Sequence, residues 1–173
     1  LEGLLFAFAQ SHAEIRRALE DQMQASSGAS KDLIKQVQRD ISQLGNLAWD
    51  DDYNGRSSSV DLKRLSFRLK LLLDGGYYDE LVSVGQQLLK NGKRLVEESH
   101  DEGELGGQVQ ECMEIILSAL PHSSLSKGEQ LIWLVEIDLL SDYDLVDLDE
   151  KLENFWDENE EKPTSEDWNV LAK

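Results

Sequence analysis

The densest group of metal-ligating side chains lies at Glu97, Glu98, His100, Asp101, Glu102 and Glu104. Zinc prefers nitrogen and sulfur donors in tetrahedral geometry. One histidine among loop carboxylates is a poor match, so a polar helix connection is expected over Glu97–Gly103 (EESHDEG). Asp142, Asp144, Asp147 and Asp149 resemble a calcium loop only in their alternation. Such a loop needs glycine at its sixth position, and counted from Asp142 that place is Asp147. These acids suit the first turns of a helix, where negative charge complements the helix dipole.

Nucleophiles fare no better. Cys112 is the only cysteine, beside Met113 on an apolar helix face. A thiol there is expected to be buried, with a raised pKa and little reactivity. Ser11, Ser30, Ser59 and Ser126 stand where helices are expected to begin, so capping accounts for them. His12 falls at a helix start and His122 follows Pro121 in a loop. The sequence holds no Gly-x-Ser-x-Gly, phosphate loop or dinucleotide fingerprint. A non-catalytic helical scaffold or protein-interaction domain with no cofactor and no metal is therefore expected; the alternatives are an enzyme of unrecognised class, with His100 or His12 and carboxylates in a pocket, or an accessory nucleic-acid-binding domain.

Bulk charge narrows the partners. The 173 residues carry a formal net charge of −18. The stretch from Glu136 to Lys173 holds 14 acidic and 3 basic residues, the steepest part of that imbalance. Nucleic-acid binding needs a basic stripe, and the basic residues here are scattered. Arg16, Arg17, Lys93 and Arg94 are the best candidates for a patch. No apolar run approaches the roughly 20 residues that span a bilayer, so no membrane partner is expected. One cysteine rules out a disulfide within the chain and fits a reducing compartment, hence a cytoplasmic location. The opening Leu1-Glu2-Gly3 lacks an initiator methionine and shows no signal peptide, as expected of a piece of a longer protein.

The helical period dominates the elements that must carry these residues. Leu1, Leu4, Leu5, Phe8, His12, Ile15, Leu19 and Met23 recur at three- and four-residue steps, the apolar face of a helix. Ser11 with Glu14 reads as a capping box, dividing that run into a helix to about Gln10 and another from His12 to about Gln24. ASSGAS (Ala25–Ser30) is a linker, and Leu33, Ile34, Val37, Ile41, Leu44 and Leu47 form the next amphipathic helix. Trp49–Ser59 is the longest irregular stretch. A leucine-rich helix from Val60 ends at Gly75-Gly76, a cheap left-handed cap. A helix carrying Leu81, Val84, Leu88 and Leu89 follows at once and completes an αα-hairpin, with Asn91-Gly92 expected to interrupt it.

Leu105 to Leu120 makes a further helix, stopped by Pro121. Ser126 with Glu129 is a second capping box, opening a helix over Gln130–Leu140 that is apolar nearly all round and so expected at the centre of the core. Leu148, Leu152, Phe155 and Trp156 mark another helix, and Pro163 separates it from a short last one with Trp168 and Leu171. No segment alternates like a strand. The expected fold is one all-α domain over 1–173, of antiparallel helical hairpins in an irregular α-solenoid or bundle. Its parts are N-terminal helices (1–48), a helical core (60–140) and acidic C-terminal helices (141–173).

Aromatic residues supply the candidate partner surface. Trp133, Trp156 and Trp168 are expected in the core. Trp49 and Tyr53, at a helix end and loop, anchor the loop or face a partner. Of Tyr77 and Tyr78, after the glycine turn, one is expected to pack and the other to be exposed. A protein or peptide partner is expected near these four, with self-association through the C-terminal helices as a further arrangement the pattern permits.

GYYDELVSVGQQLL (Gly76–Leu89) resembles one tetratricopeptide helix, although Leu69 replaces the expected glycine and no second copy follows about 34 residues away. A wider resemblance covers most of the chain. WDDDY (Trp49–Tyr53), LLLDGGYYDELVSVGQQLL (Leu71–Leu89), EESHDEGELGGQV (Glu97–Val109), SEDWNVLA (Ser165–Ala172) and EIRRAL (Glu14–Leu19) resemble the helical region of bacterial SWIM zinc-finger proteins. That family's zinc module needs Cys-x-Cys followed by Cys-x-His, which this chain lacks: Cys112 is followed by Met113 and Glu114. The resemblance implies the helical, non-zinc part of such a protein, and no zinc ligand carries over.

Overall fold

A computed structural model of the chain describes residues 12–26, 30–47, 61–98, 104–141 and Leu148. The described fold is all-α. Its helices are α1 (Ala13–Ser26), α2 (Ser30–Leu47), α3 (Leu62–Asp74), α4 (Tyr78–Glu98), α5 (Glu104–Ala119) and α6 (Lys127–Leu140). A 3-10 turn, Leu120–His122, carries Pro121 after α5. The Ser11 capping box, the Trp49–Ser59 stretch, the Asp142–Asp149 acids and the helices expected beyond Leu148 lie outside the described residues.

Apolar spacing explains the inner faces. Leu33, Val37, Ile41 and Leu44 on α2 are essentially closed to water, as are Leu65, Leu69 and Leu72 on α3. Leu81, Leu88 and Leu89 on α4 meet Val109, Cys112, Met113 and Ile116 on α5 within the same core. Each buried aliphatic side chain of this kind is worth roughly 1.5–3 kcal/mol over leaving it exposed.

Spatial neighbours are not sequence neighbours. α2 packs on α4, α4 on α5, α5 on α3, and α3 on α2; α1 rests on α2 and α3, and α6 on α4. The Asn91 side-chain amide donates to the Ile41 carbonyl at 2.7 Å, while Tyr77 meets Ser30, so α2 and α4 run the same way. Gly92 faces Val109 and Gly85 faces Ile116, which sets α4 and α5 antiparallel. The consecutive helices α3 and α4, expected to pair as a hairpin, touch only lightly. Each instead buries its apolar face on α5 and on α2.

Local chemistry sets the helix ends. Asp61, not Ser59 or Val60, opens α3: its carboxylate accepts the Arg64 backbone N–H at 2.9 Å. At the other end the left-handed residue is Gly76 (φ 77°), while Gly75 is right-handed with φ −80°. The Gly76 and Tyr77 N–H groups then donate to the Leu73 and Leu72 carbonyls, satisfying part of the helix end. The capping box of α6 forms as expected. Glu129 N–H donates to Ser126 Oγ at 3.3 Å, and Ser126 N–H donates to the Glu129 carboxylate at 2.8 Å.

Two sequence expectations need correcting. Asn91-Gly92 does not interrupt α4, which runs unbroken from Tyr78 to Glu98. Asn91 reaches across to α2, and Gly92 lets Val109 approach so closely that a Cβ there would sit 2.6 Å from a valine methyl. The second concerns α6, expected at the centre of the core. Among the described residues it lies at the edge, packed chiefly on α4, with Trp133 buried over Gly85 and Leu139 77% exposed.

Candidate interaction surface

The apolar periodicity of α1 puts Ile15, Leu19 and Met23 on one helix face, the kind of face that ordinarily packs on a core. The structure turns that helix the other way. Asp21 is buried at 1% exposure, whereas Leu19 is 43% and Met23 70% exposed. A solitary buried carboxylate would be costly, and two guanidinium groups offset that cost here. Arg64 donates to the Asp21 oxygens at 2.9 and 3.0 Å, and Arg68 donates to the same pair at 3.1 and 3.1 Å. Arg68, itself buried, also bonds Asp40 on α2. One network thus ties α1, α2 and α3 together, and no buried polar side-chain atom among the described residues lacks a partner.

The electrostatics follow from the geometry. Burial pushes the Asp21 carboxyl up, but hydrogen bonds and charge from Arg64 and Arg68 together outweigh it, and the group lies below its ordinary value. Arg64 moves up, because its hydrogen bond to Asp21 exceeds the opposing desolvation. This network fixes the rotation of α1 about its axis. With Asp21 held inward, Leu19 and Met23, four residues apart, form an outward apolar strip. On the inward side of the helix, between α1 and α3 and not lined by Leu19 or Met23, is a groove of about 330 Å³ bordered by Glu14, Arg17, Ala18, Lys63, Arg64 and Phe67.

The residues proposed from sequence fall elsewhere. Trp49 and Tyr53 lie outside the described residues. Tyr77 and Tyr78 do not divide into one packed and one exposed; both are half-buried against the core. Their partners differ. The Tyr77 hydroxyl donates to Ser30 Oγ at 2.6 Å, closing the start of α2, so Ser30 serves Tyr77. The Tyr78 ring lies 5.1 Å from the His122 ring, tilted by 38°. These two tyrosines join elements of this chain.

Cys112 is buried, and burial, with a smaller contribution from Glu111, pushes its thiol up to about 12. Its Sγ donates a long contact of 3.8 Å to the Leu62 carbonyl. Nearby on the surface, Lys70 and Ser66 donate to the Glu111 carboxylate at 2.7 and 3.0 Å. The Lys70 bond, then the Ser66 bond, lower the Glu111 carboxyl. Of the Glu97–Glu104 cluster, Glu97 and Glu98 end α4 and Glu104 starts α5; His100, Asp101 and Glu102 lie outside the described residues. No group of three or more metal-type ligands converges among the described residues. His12 is exposed at the start of α1. Arg16 and Arg17 lie on α1, while Lys93 and Arg94 lie on α4, where Arg94 bonds Glu98 at 2.9 Å. No described helix is long and apolar enough to cross a membrane.

The sequence reading missed the network itself. The signal was present: Arg64 and Arg68 stand four apart, so they share one helix face. Arg68 also interrupts the leucine pattern of Leu65, Leu69 and Leu72. An arginine inside an apolar stripe either extends its charge to water or, where the charge is buried, takes a carboxylate partner. No protein-family model, no curated protein and no solved structure matches this chain.

Proposed function

We propose that this chain is a non-catalytic helical scaffold that binds a protein partner, as the helical part of a longer protein of the SWIM zinc-finger kind. The observation that supports it is the orientation of α1. A buried Asp21 with two arginines holds an amphipathic helix so that Leu19 and Met23 face water. Neighbouring exposed apolar side chains on an otherwise charged helix are a feature of surfaces that meet partner proteins. The chain's charge of −18 disfavours nucleic acid as that partner.

The test is site-specific photo-crosslinking in the full-length native protein. A crosslinker at Leu19 or Met23 is expected to capture one discrete protein, while a crosslinker at the exposed Lys35 does not. Leu19→Glu with Met23→Glu should abolish capture from a probe at Arg16 while leaving the urea midpoint unchanged. Equal capture at all positions, or capture indifferent to the two glutamates, overturns the reading.

A further inference from the structure

A groove of about 330 Å³ runs between the first half of α4, the turn before α6 and α6 itself. Val82, Leu125 and Trp133 are its apolar lining, and Asp79, Ser83 and Gln86 are polar lining. Asp79, Val82, Ser83 and Gln86 recur at three- and four-residue steps, so they share one face of α4. Beside them Gly85 lacks a Cβ, and one added there would lie 2.5 Å from the Trp133 ring. The indole can therefore lie directly against α4 and form the floor.

Two bridges fix the walls. The Ser124 backbone N–H donates to the Asp79 carboxylate at 2.6 Å, and the Gln86 side-chain amide donates to the Glu136 carboxylate on α6. Asp79 and Gln86 stand seven residues apart, about 10 Å along α4. Each bridge thus brings a carboxylate towards one end of the groove. Asp79 and Glu136 are exposed. A carboxylate has room for about four hydrogen bonds, so each can hold its bridge and still take a cation. Among the described residues no lysine or arginine lines this groove.

We propose that the groove binds a basic, extended segment of a partner protein. Two of its cations pair with Asp79 and Glu136, and the residues between them cover Val82, Leu125 and Trp133. Charge selects this occupant, and spacing selects its shape. A polyproline-II stretch has three residues per turn and a 3.1 Å rise, so cations three apart share one face about 9 Å apart. A β-strand would point the same two cations to opposite faces. The polyproline-II conformation is also preformed, so it loses little entropy in a groove with an aromatic floor. This site lies on α4 and α6 and does not rest on the α1 surface.

The test is an NMR titration of the ¹⁵N-labelled full chain with the capped peptide Gly-Arg-Pro-Pro-Arg-Gly. The Ser124 backbone amide and the Gln86 side-chain amide are expected to shift, and the Lys35 amide is not. Asp79→Asn and Glu136→Gln each keep an acceptor for the bridge and remove the charge. Each should weaken binding about threefold. Glu97→Gln, exposed at the end of α4, removes an equal charge elsewhere and should leave binding unchanged. The isomer Gly-Arg-Arg-Pro-Pro-Gly, of equal charge, should bind at least about threefold more weakly. No shift at Ser124 and Gln86, equal binding of the two peptides, or equal loss in Glu97→Gln and the groove variants overturns the proposal. Shifts at the same amides on concentrating the chain alone would assign the groove to a second copy and overturn it too. Should a variant misfold, salt on the unaltered chain replaces it: binding should fall several-fold between about 0.05 and 0.5 M. Binding indifferent to salt overturns the proposal.

Discussion

Asp21 and Arg68 lie on different helices, and the Arg68 guanidinium donates to both oxygens of the Asp21 carboxylate at 3.1 Å. The pair is closed to water on both sides, with side-chain exposures of 7% and 2%. Arg64 shares the same carboxylate, and Arg68 reaches on to Asp40. Two cations and two carboxylates thus hold the rotation and seating of α1. A buried ion pair is weak evidence of net stability, because desolvation consumes much of its attraction. Its firm consequence is positional: the strip of Leu19 and Met23 faces outward only while Asp21 faces inward.

Removing one member should therefore cost more than removing the set. Asp21→Asn leaves two guanidiniums facing a neutral amide, and a loss of about 3 kcal/mol is expected. This is the low end for a broken buried pair, since Arg64 keeps some contact with water. Asp21→Leu combined with Arg68→Met should lose less than the sum of the two single changes, because no charge is left stranded opposite a missing partner. Urea denaturation of the three variants measures both effects.

The same network sets the acid limb of stability. Asp21 titrates below its ordinary value in the folded chain, so the unfolded chain binds more protons as pH falls. Its contribution is fully present above the unfolded pKa of about 4 and is lost as pH falls through the lower folded value. Stability should decline steeply below about pH 4, and Asp21→Asn should flatten that decline from a lower starting level. Glu111, also lowered by Lys70 and Ser66, is half exposed, so Glu111→Gln should flatten it less and only at low salt. Urea midpoints at a series of pH values separate the two.

Cys112 reports the integrity of the core. Its thiol is buried and pushed up to about 12, so at pH 8 the native chain holds almost no thiolate and gives a reagent no access. Alkylation by iodoacetamide should be negligible in the native state and should follow the global unfolding curve in urea. Labelling well below the midpoint would mean that α3 and α5 part locally, since Leu62 and Cys112 meet across them.

Much of the architecture was legible because apolar spacing is a local signal. Leu33, Val37, Ile41 and Leu44 read as one face and are buried as one. Ser126 and Glu129 read as a capping box and form one. Pairing is not local, which is why α3 and α4 read as a hairpin yet pack on other helices. The periodicity of α1 misled for a related reason. Its apolar residues share a face, but which face turns inward depends on Arg64 and Arg68, far along the chain. Helix α6 looked central since apolar residues surround it, and sequence carries no count of how many neighbours a helix acquires. Asn91-Gly92 looked like a break because both residues are poor helix formers. Their use, a hydrogen bond to Ile41 and a close approach by Val109, requires α2 and α5 in place.

Three glycines should respond oppositely to the same substitution. Alanine in place of glycine within a helix gains about 1 kcal/mol from propensity and unfolded-chain entropy. Gly107, exposed on α5, has nothing within 4 Å of an added Cβ, so Gly107→Ala should stabilise by most of that amount. At Gly85 the new Cβ would lie 2.5 Å from the Trp133 ring and 3.1 Å from Ile116. A rigid, buried indole moves only if α6 moves with it, and overpacking of this kind costs typically 1–3 kcal/mol. Gly85→Ala should therefore be net destabilising, and Trp133→Leu in the same chain should recover part of the loss by opening space. At Gly92 the obstacle is Val109, whose methyls lie 2.6 and 2.9 Å from the added Cβ. Val109→Ala removes both, so Gly92→Ala should destabilise alone and become nearly neutral in the Val109→Ala background. Thermal and urea unfolding of the six variants checks the signs. If all three alanines stabilise equally, α4 does not approach α5 and α6 as closely as the packing of Gly85 and Gly92 requires.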